Sequence, residues 1–202
     1  MENKAGMWAG YVPPANEKEA AKTQTNTGGG FVDHVFAEGT RVLAQLAGIA
    51  WKSSDYEDNY INARWRVLEP AKGKGSTIWS KMRVFGNPSQ SKRAMDQLWV
   101  LGVYAKTDVV KQAFSSGEEI SDADLAQLVG ATAVLHLSMW CTDAEELARG
   151  KEPRSGNWIR GILDPSSTVT EDPILVDEYG KDITDESPRV LAAGIVDDEI
   201  PF

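Results

Sequence analysis

Two stretches of the chain alternate at a period of two residues and gather aromatic and cationic side chains on one side. In 59–68, Tyr60, Asn62, Arg64 and Arg66 fall on one face, and Ile61, Ala63, Trp65 and Val67 on the other. In 77–85, Trp79, Lys81, Arg83 and Phe85 oppose Ile78, Met82 and Val84. Trp158 and Arg160 alternate in the same way further on, and Trp140 is a candidate to join them. Flat π surfaces stack on unpaired bases, contributing about 1–3 kcal/mol per base whatever the base is. Guanidinium and ammonium groups neutralise backbone phosphates and release counterions. These residue types on a shared face suit the holding of single-stranded DNA. Each aromatic also has a plain packing role open to it. Trp65, between Ala63 and Val67, is expected in the core, whereas Trp79, next to Lys81 and Arg83, suits either place.

Residue types for bond-making chemistry are sparse. His34 and His136 have no evident partner, and Cys141 has no activating base nearby in sequence. Asp55, Glu57 and Asp58 could hold magnesium as in a small nuclease, but a solvated turn explains them as well. Gly73-Lys74-Gly75-Ser76 lacks the spacing of a phosphate-cradling loop. Two histidines and one cysteine argue against zinc. The expectation is a protein that is not an enzyme, with no catalytic residue, no metal and no cofactor.

The net charge of -9 at first disfavours a DNA ligand, but it is unevenly spread. From Asp164 to Phe202, eleven acidic residues face only Lys181 and Arg189, so that segment alone carries -9. Met1 to Leu163 holds 19 basic and 19 acidic groups, and Phe36 to Gln112 has twelve Lys/Arg against seven Asp/Glu. A locally basic body draws a phosphate ligand, and an acidic end repels it. A single cysteine excludes an internal disulfide and fits a reducing compartment. No apolar run approaches the roughly 18 residues needed to span a bilayer, and Met1-Glu2-Asn3-Lys4 opens no secretory signal. A cytoplasmic protein with no membrane partner is expected.

Five segments read as the strands that must position the aromatic and basic groups: 41–52, 59–68, 77–85, 132–140 and 157–163. The Lys72-Gly73-Lys74-Gly75 stretch after Glu69-Pro70 is a loop. Helix is expected between the third and fourth strands. Asn87 caps it, Pro88 suits its first turn, and Met95, Leu98, Trp99 and Leu101 form its apolar stripe up to Gly102. Ser121 caps a second helical segment that buries Leu125, Leu128 and Val129 and closes at Gly130. Three strands, a helical insertion and two more strands is the order of a five-stranded OB-fold barrel, mainly β with a helical insertion. A generic antiparallel α+β domain gives a similar string.

The expected organisation is a flexible N-terminal arm at 1–30, a binding domain at 31–163 and a disordered acidic tail at 164–202. Trp8 and Tyr11 could pin the arm, and a short helix is expected at 15–22. The tail ends Asp197-Asp198-Glu199-Ile200-Pro201-Phe202. Apolar residues behind a run of acids suit a partner protein, with the acids steering to a basic rim and Phe202 filling a pocket. As a tethered polyanion the tail could also occupy the basic face when DNA is absent, at an effective concentration on the order of millimolar.

That terminal hexapeptide resembles the tail tip of bacterial single-stranded DNA-binding proteins, with Glu199 where an Asp is common. The body, through 59–70 and 98–102, looks more like phage-encoded single-stranded DNA-binding proteins. The resemblance implies an OB fold, sequence-nonspecific coating and protection of single strands in phage DNA replication and recombination, and no cofactor. It also implies a tip that recruits replication and repair proteins, with the host cytoplasm as the location. No sharp body motif transfers individual DNA contacts. An open basic face would admit duplex DNA weakly. Strand annealing, the magnesium nuclease and a pure protein-interaction module remain rival readings.

Overall fold

The computed structural model describes residue 8, residues 11–12, 35–53 and 58–184 of the 202. The chain order is β1 (Val35–Phe36), β2 (Arg41–Lys52), β3 (Tyr60–Glu69), β4 (Thr77–Met82), α1 (Pro88–Ala105), α2 (Val109–Ser116), α3 (Asp122–Ala126), β5 (Thr132–Cys141), α4 (Ala144–Ala148), β6 (Ser155–Leu163) and β7 (Leu175–Val176). Five of the strands form one antiparallel sheet in the order β4-β3-β2-β5-β6, and β1 pairs with β7 in a second, two-stranded sheet.

Period-two patterning decides which side of the large sheet is buried. Ile61, Ala63, Trp65 and Val67 of β3 and Ile78 and Met82 of β4 are fully buried, while Arg64 and Arg66 are exposed. The first strand of the sheet, β2, is long and lies at its centre, pairing with β3 on one side and β5 on the other. Register shifts at Leu43/Ala44 and Leu46/Gly48 interrupt its ladder with β3, and such irregularities bend a strand. The edge strands β4 and β6 come within 8 Å of each other in Cα positions without forming a ladder. The fold is mainly β with a helical insertion, and the sheet is not closed into a barrel, as the barrel expectation required.

The insertion sits where the sequence places it. Asn87 and Gln90 form a reciprocal capping box at α1, with Pro88 in its first turn. Met95, Leu98 and Leu101 are buried, and Trp99 is half-buried. Gly102 does not end the helix, which runs to Ala105 and closes on Lys106 in the left-handed region at φ 57°. Instead, Gly102 lets α2 approach: a Cβ there would stand 3.2 Å from Val110. Ser121 caps α3, with Leu125 and Leu128 buried, but Val129 is exposed and not part of the core.

Three expectations change. The third strand stops at Met82, because the N–H of Val84 turns back to the carbonyl of Met82. The alternation ends there. Phe85 swings inward, is 9% exposed, and stacks on Trp51 at 5.6 Å and 13°.

The N-terminal arm, expected to be flexible with Trp8 and Tyr11 able to pin it, is held at those two residues. Trp8 is fully buried with its ring 5.7 Å from Phe114, and Tyr11 lies 4.5 Å from the same ring. The Tyr11 hydroxyl donates to Asp96 at 2.6 Å. The expected helix at 15–22 lies outside the described residues.

Residues 164–184 of the acidic segment are ordered, against the expectation of disorder from Asp164 onward. Pro173, Leu175 and Val176 are buried. Burying each of the two aliphatics contributes about 1.5–3 kcal/mol toward holding the segment on the body. Thr170 exchanges two hydrogen bonds with the backbone of Arg41, and Lys72 pairs with Asp172 at 3.3 Å. The Asp177 carboxylate accepts the N–H groups of Tyr179 and Lys181, which fixes the turn after β7.

Candidate nucleic-acid interface

On the outer face of β3 and β4, the side chains named from the sequence meet in pairs. Arg64 and Trp79 are ladder partners, and the guanidinium carbon lies 6.0 Å from the indole centroid. The Lys81 ammonium lies 3.9 Å from the Tyr60 ring centroid. Asn62 pairs with Lys81, and Arg66 with Thr77. Tyr60, Trp79 and Lys81 are half-buried, so the rings rest on the sheet with part of their surface open.

Across the ladder to β2, Lys52 pairs with Tyr60, Ala50 with Asn62, Gly48 with Arg64 and Gln45 with Arg66. The small residues Gly48 and Ala50 leave this side of β2 low. No Asp or Glu occurs among these outward positions of β2, β3 and β4. Among the described residues no carboxylate pairs with Arg64 or Arg66. A cation on an aromatic face is attracted by the ring quadrupole, by about 0.5–1 kcal/mol at an exposed site. The pairing thus orients the ring and keeps a positive charge beside it. Arg83 follows the end of β4 and is exposed. Phe85 leaves the set because its ring is in the core. Lys52, missed in the sequence, joins it through the β2–β3 register.

Trp158 and Arg160 lie elsewhere. They are on β6, which forms its ladder with β5 and none with β3 or β4, so neither is a ladder neighbour of Trp79 or Arg64. Trp158 is half-buried and stacks on Trp140, with centroids 6.3 Å apart at 27°. Trp140 lies over its ladder partner Gly156, where a Cβ would stand 2.7 Å from the indole nitrogen. Arg160 is paired with Glu38 at 3.1 Å. His136, which has no evident partner in the sequence, is the ladder partner of Arg41. Its pKa is held below the usual histidine value by burial first, then by Arg41 and Arg160, with Glu38 opposing. The β-bulge that gathers these groups has no signature in the sequence.

The remaining candidates stay apart from this surface. Asp55, Glu57 and His34 lie outside the described residues, and Asp58 is exposed at the start of the β3 approach. Among the described residues no three His, Cys, Asp or Glu side chains cluster as a metal site. Cys141 is exposed with a free thiol. Among the described residues no helix is long and apolar enough to cross a membrane. The tip, Asp197, Asp198, Glu199, Ile200, Pro201 and Phe202, lies outside the described residues. The chain matches no protein-family model, no curated protein and no solved structure.

Proposed function

We propose that this protein binds single-stranded DNA without reading its sequence, on the outer face of β3 and β4. The observation that carries the reading is the pairing of Arg64 with Trp79 and Lys81 with Tyr60, at ladder positions that hold no Asp or Glu. Bases stack on Trp79 and Tyr60, and phosphates take Arg64, Arg66, Lys81, Lys52 and Arg83. Stacking on an aromatic ring does not depend on which base is present, so selectivity is for unpaired strands over sequence. Duplex DNA, whose bases are already stacked, gains only the phosphate contacts and binds weakly.

The central long strand, the approach of β4 to β6 and the helices between β4 and β5 support an OB-type fold. The terminal Ile-Pro-Phe behind three acids supports a hook for replication and repair proteins. Coating of exposed strands in the cytoplasm during phage DNA replication and recombination is the role that joins the two ends of the chain. The protein acts without catalysis or cofactor. Retention of oligo-dT that falls steeply with salt, and is lost on replacing Trp79, tests the reading.

A further inference from the structure

At the opposite end of β2 from Lys52 and Tyr60, a second group of cations meets a second pair of indoles. Arg41 and His136 are ladder partners between β2 and β5. His136 faces Gly161 on β6, and the register shift next to it leaves Arg160 as the extra residue of a bulge. Trp158, opposite Ser138, is the next outward position along β6 and is backed by Trp140. Along β2, Arg41 lies four steps from Gln45, the partner of Arg66, and seven from Gly48, the partner of Arg64, at most about 13 and 23 Å at 3.3 Å per residue.

We propose that Arg41, His136 and Arg160, with the Trp158 indole beside them, form a second seat for single-stranded nucleic acid. It takes a backbone phosphate on the cations and the adjoining base on the indole. The proposal rests on the single-strand reading above and extends it from one patch to two.

Charge is what selects this ligand. Two guanidinium groups and an imidazole surround the spot, and Glu38 is the carboxylate facing them. One Glu38 oxygen accepts the Met139 N–H at 2.8 Å, and the other pairs with Arg160. Glu38 therefore stands where an incoming phosphate oxygen would go, and a phosphate draws Arg160 from it. The Arg41 side chain makes no ion pair among the described residues. The groups facing His136 are Arg41 from β2, Arg160 from β6 and Glu38 from the segment before β2. In the free protein burial, and then the two arginines, favour neutral imidazole. An added phosphate reverses that balance and favours imidazolium, so filling this seat takes up a proton and strengthens as pH falls.

The test uses the full chain with labelled oligo-dT of about 6 and about 16 nucleotides, the range one such domain covers. Affinities are measured at low salt at pH 6 and pH 8. For the long oligomer we expect about 3- to 10-fold tighter binding at pH 6, a gap that His136→Gln removes. Arg41→Gln weakens the long oligomer by a similar factor, and Glu38→Gln tightens it. The short oligomer, filling the β3–β4 patch alone, responds to none of the three. Equal losses on both lengths, or no loss on the long one, overturn the second seat. So does a Trp158→Ala variant that changes the mass in solution but not the long-oligomer affinity, because the indoles then serve contact between copies. Failure of the unaltered protein to bind either length removes the single-strand reading itself.

Discussion

Arg64 stands directly opposite Trp79 in the β3–β4 ladder, with its guanidinium carbon 6.0 Å from the indole centroid. The two side chains share one outward face with Lys81 and Tyr60, and the register fixes them there. A period-two strand cannot move one of them inward without moving all. The ring is therefore presented to the solvent side together with the charge, a combination that a stacked base with its phosphate fits.

Replacing Trp79 with Ala should weaken oligo-dT binding by about 1–3 kcal/mol, roughly 5- to 150-fold. The same substitution should leave thermal stability nearly unchanged, because the ring is half-buried on the outer face. Titration of labelled oligo-dT alongside a melting curve checks both halves.

Trp65 gives the opposite result. It is fully buried on the inward face of the same sheet. Trp65→Ala should cost about 3–5 kcal/mol of stability, lowering the melting temperature by on the order of 10 °C. Any protein that remains folded should bind oligo-dT as before.

The arm is expected to matter for stability through Tyr11. Its hydroxyl donates to the buried Asp96 carboxylate, which also takes the Lys92 ammonium at 2.9 Å. Tyr11→Phe leaves that carboxylate one donor short and should destabilise the fold by about 1–2 kcal/mol, measured by urea denaturation. Burial, and then the hydrogen bond and charge of Asp96, hold the Tyr11 hydroxyl far above the ordinary tyrosine range. A spectroscopic titration should therefore find one tyrosine that does not ionise before the protein unfolds in alkali.

The acidic segment divides into two parts with different expected effects. Ending the chain after Thr184 should preserve the melting temperature and tighten DNA binding at low salt, since it removes a tethered polyanion. Ending it at Leu163 should lower stability, because Leu175 and Val176 leave the core and β1 loses its partner β7. Paired melting curves and low-salt titrations of the two truncations separate these effects. Unchanged affinity in the shorter truncation would refute competition by the tail.

Patterning made the β3–β4 face legible because its period is short and both strands obey it. The same rule placed Trp65 in the core. It failed at Phe85, where the chain turns at Met82 and the alternation no longer applies. The β1–β7 pairing escaped because two-residue strands carry no period, and composition alone made the Leu175–Val176 pair look like linker. Trp8 and Tyr11 sit in a polar arm, and the Phe114 ring and Asp96 carboxylate that receive them lie far along the chain. Alternation puts Trp158 and Arg160 on one side of β6 but does not say which strand lies beside them. Which strands adjoin is set by long-range pairing that no local window contains.

The most direct measurement is the affinity of the full chain for oligo-dT at two salt concentrations, unaltered and with Arg64→Gln plus Arg66→Gln. The unaltered protein should bind in a way that weakens steeply with salt. The double variant should bind more weakly, with a log–log salt slope shallower by about 1.4, from about 0.7 for each phosphate no longer neutralised. A double variant with unchanged affinity and slope, or an unaltered protein that does not retain oligo-dT at low salt, would contradict single-strand binding on this face.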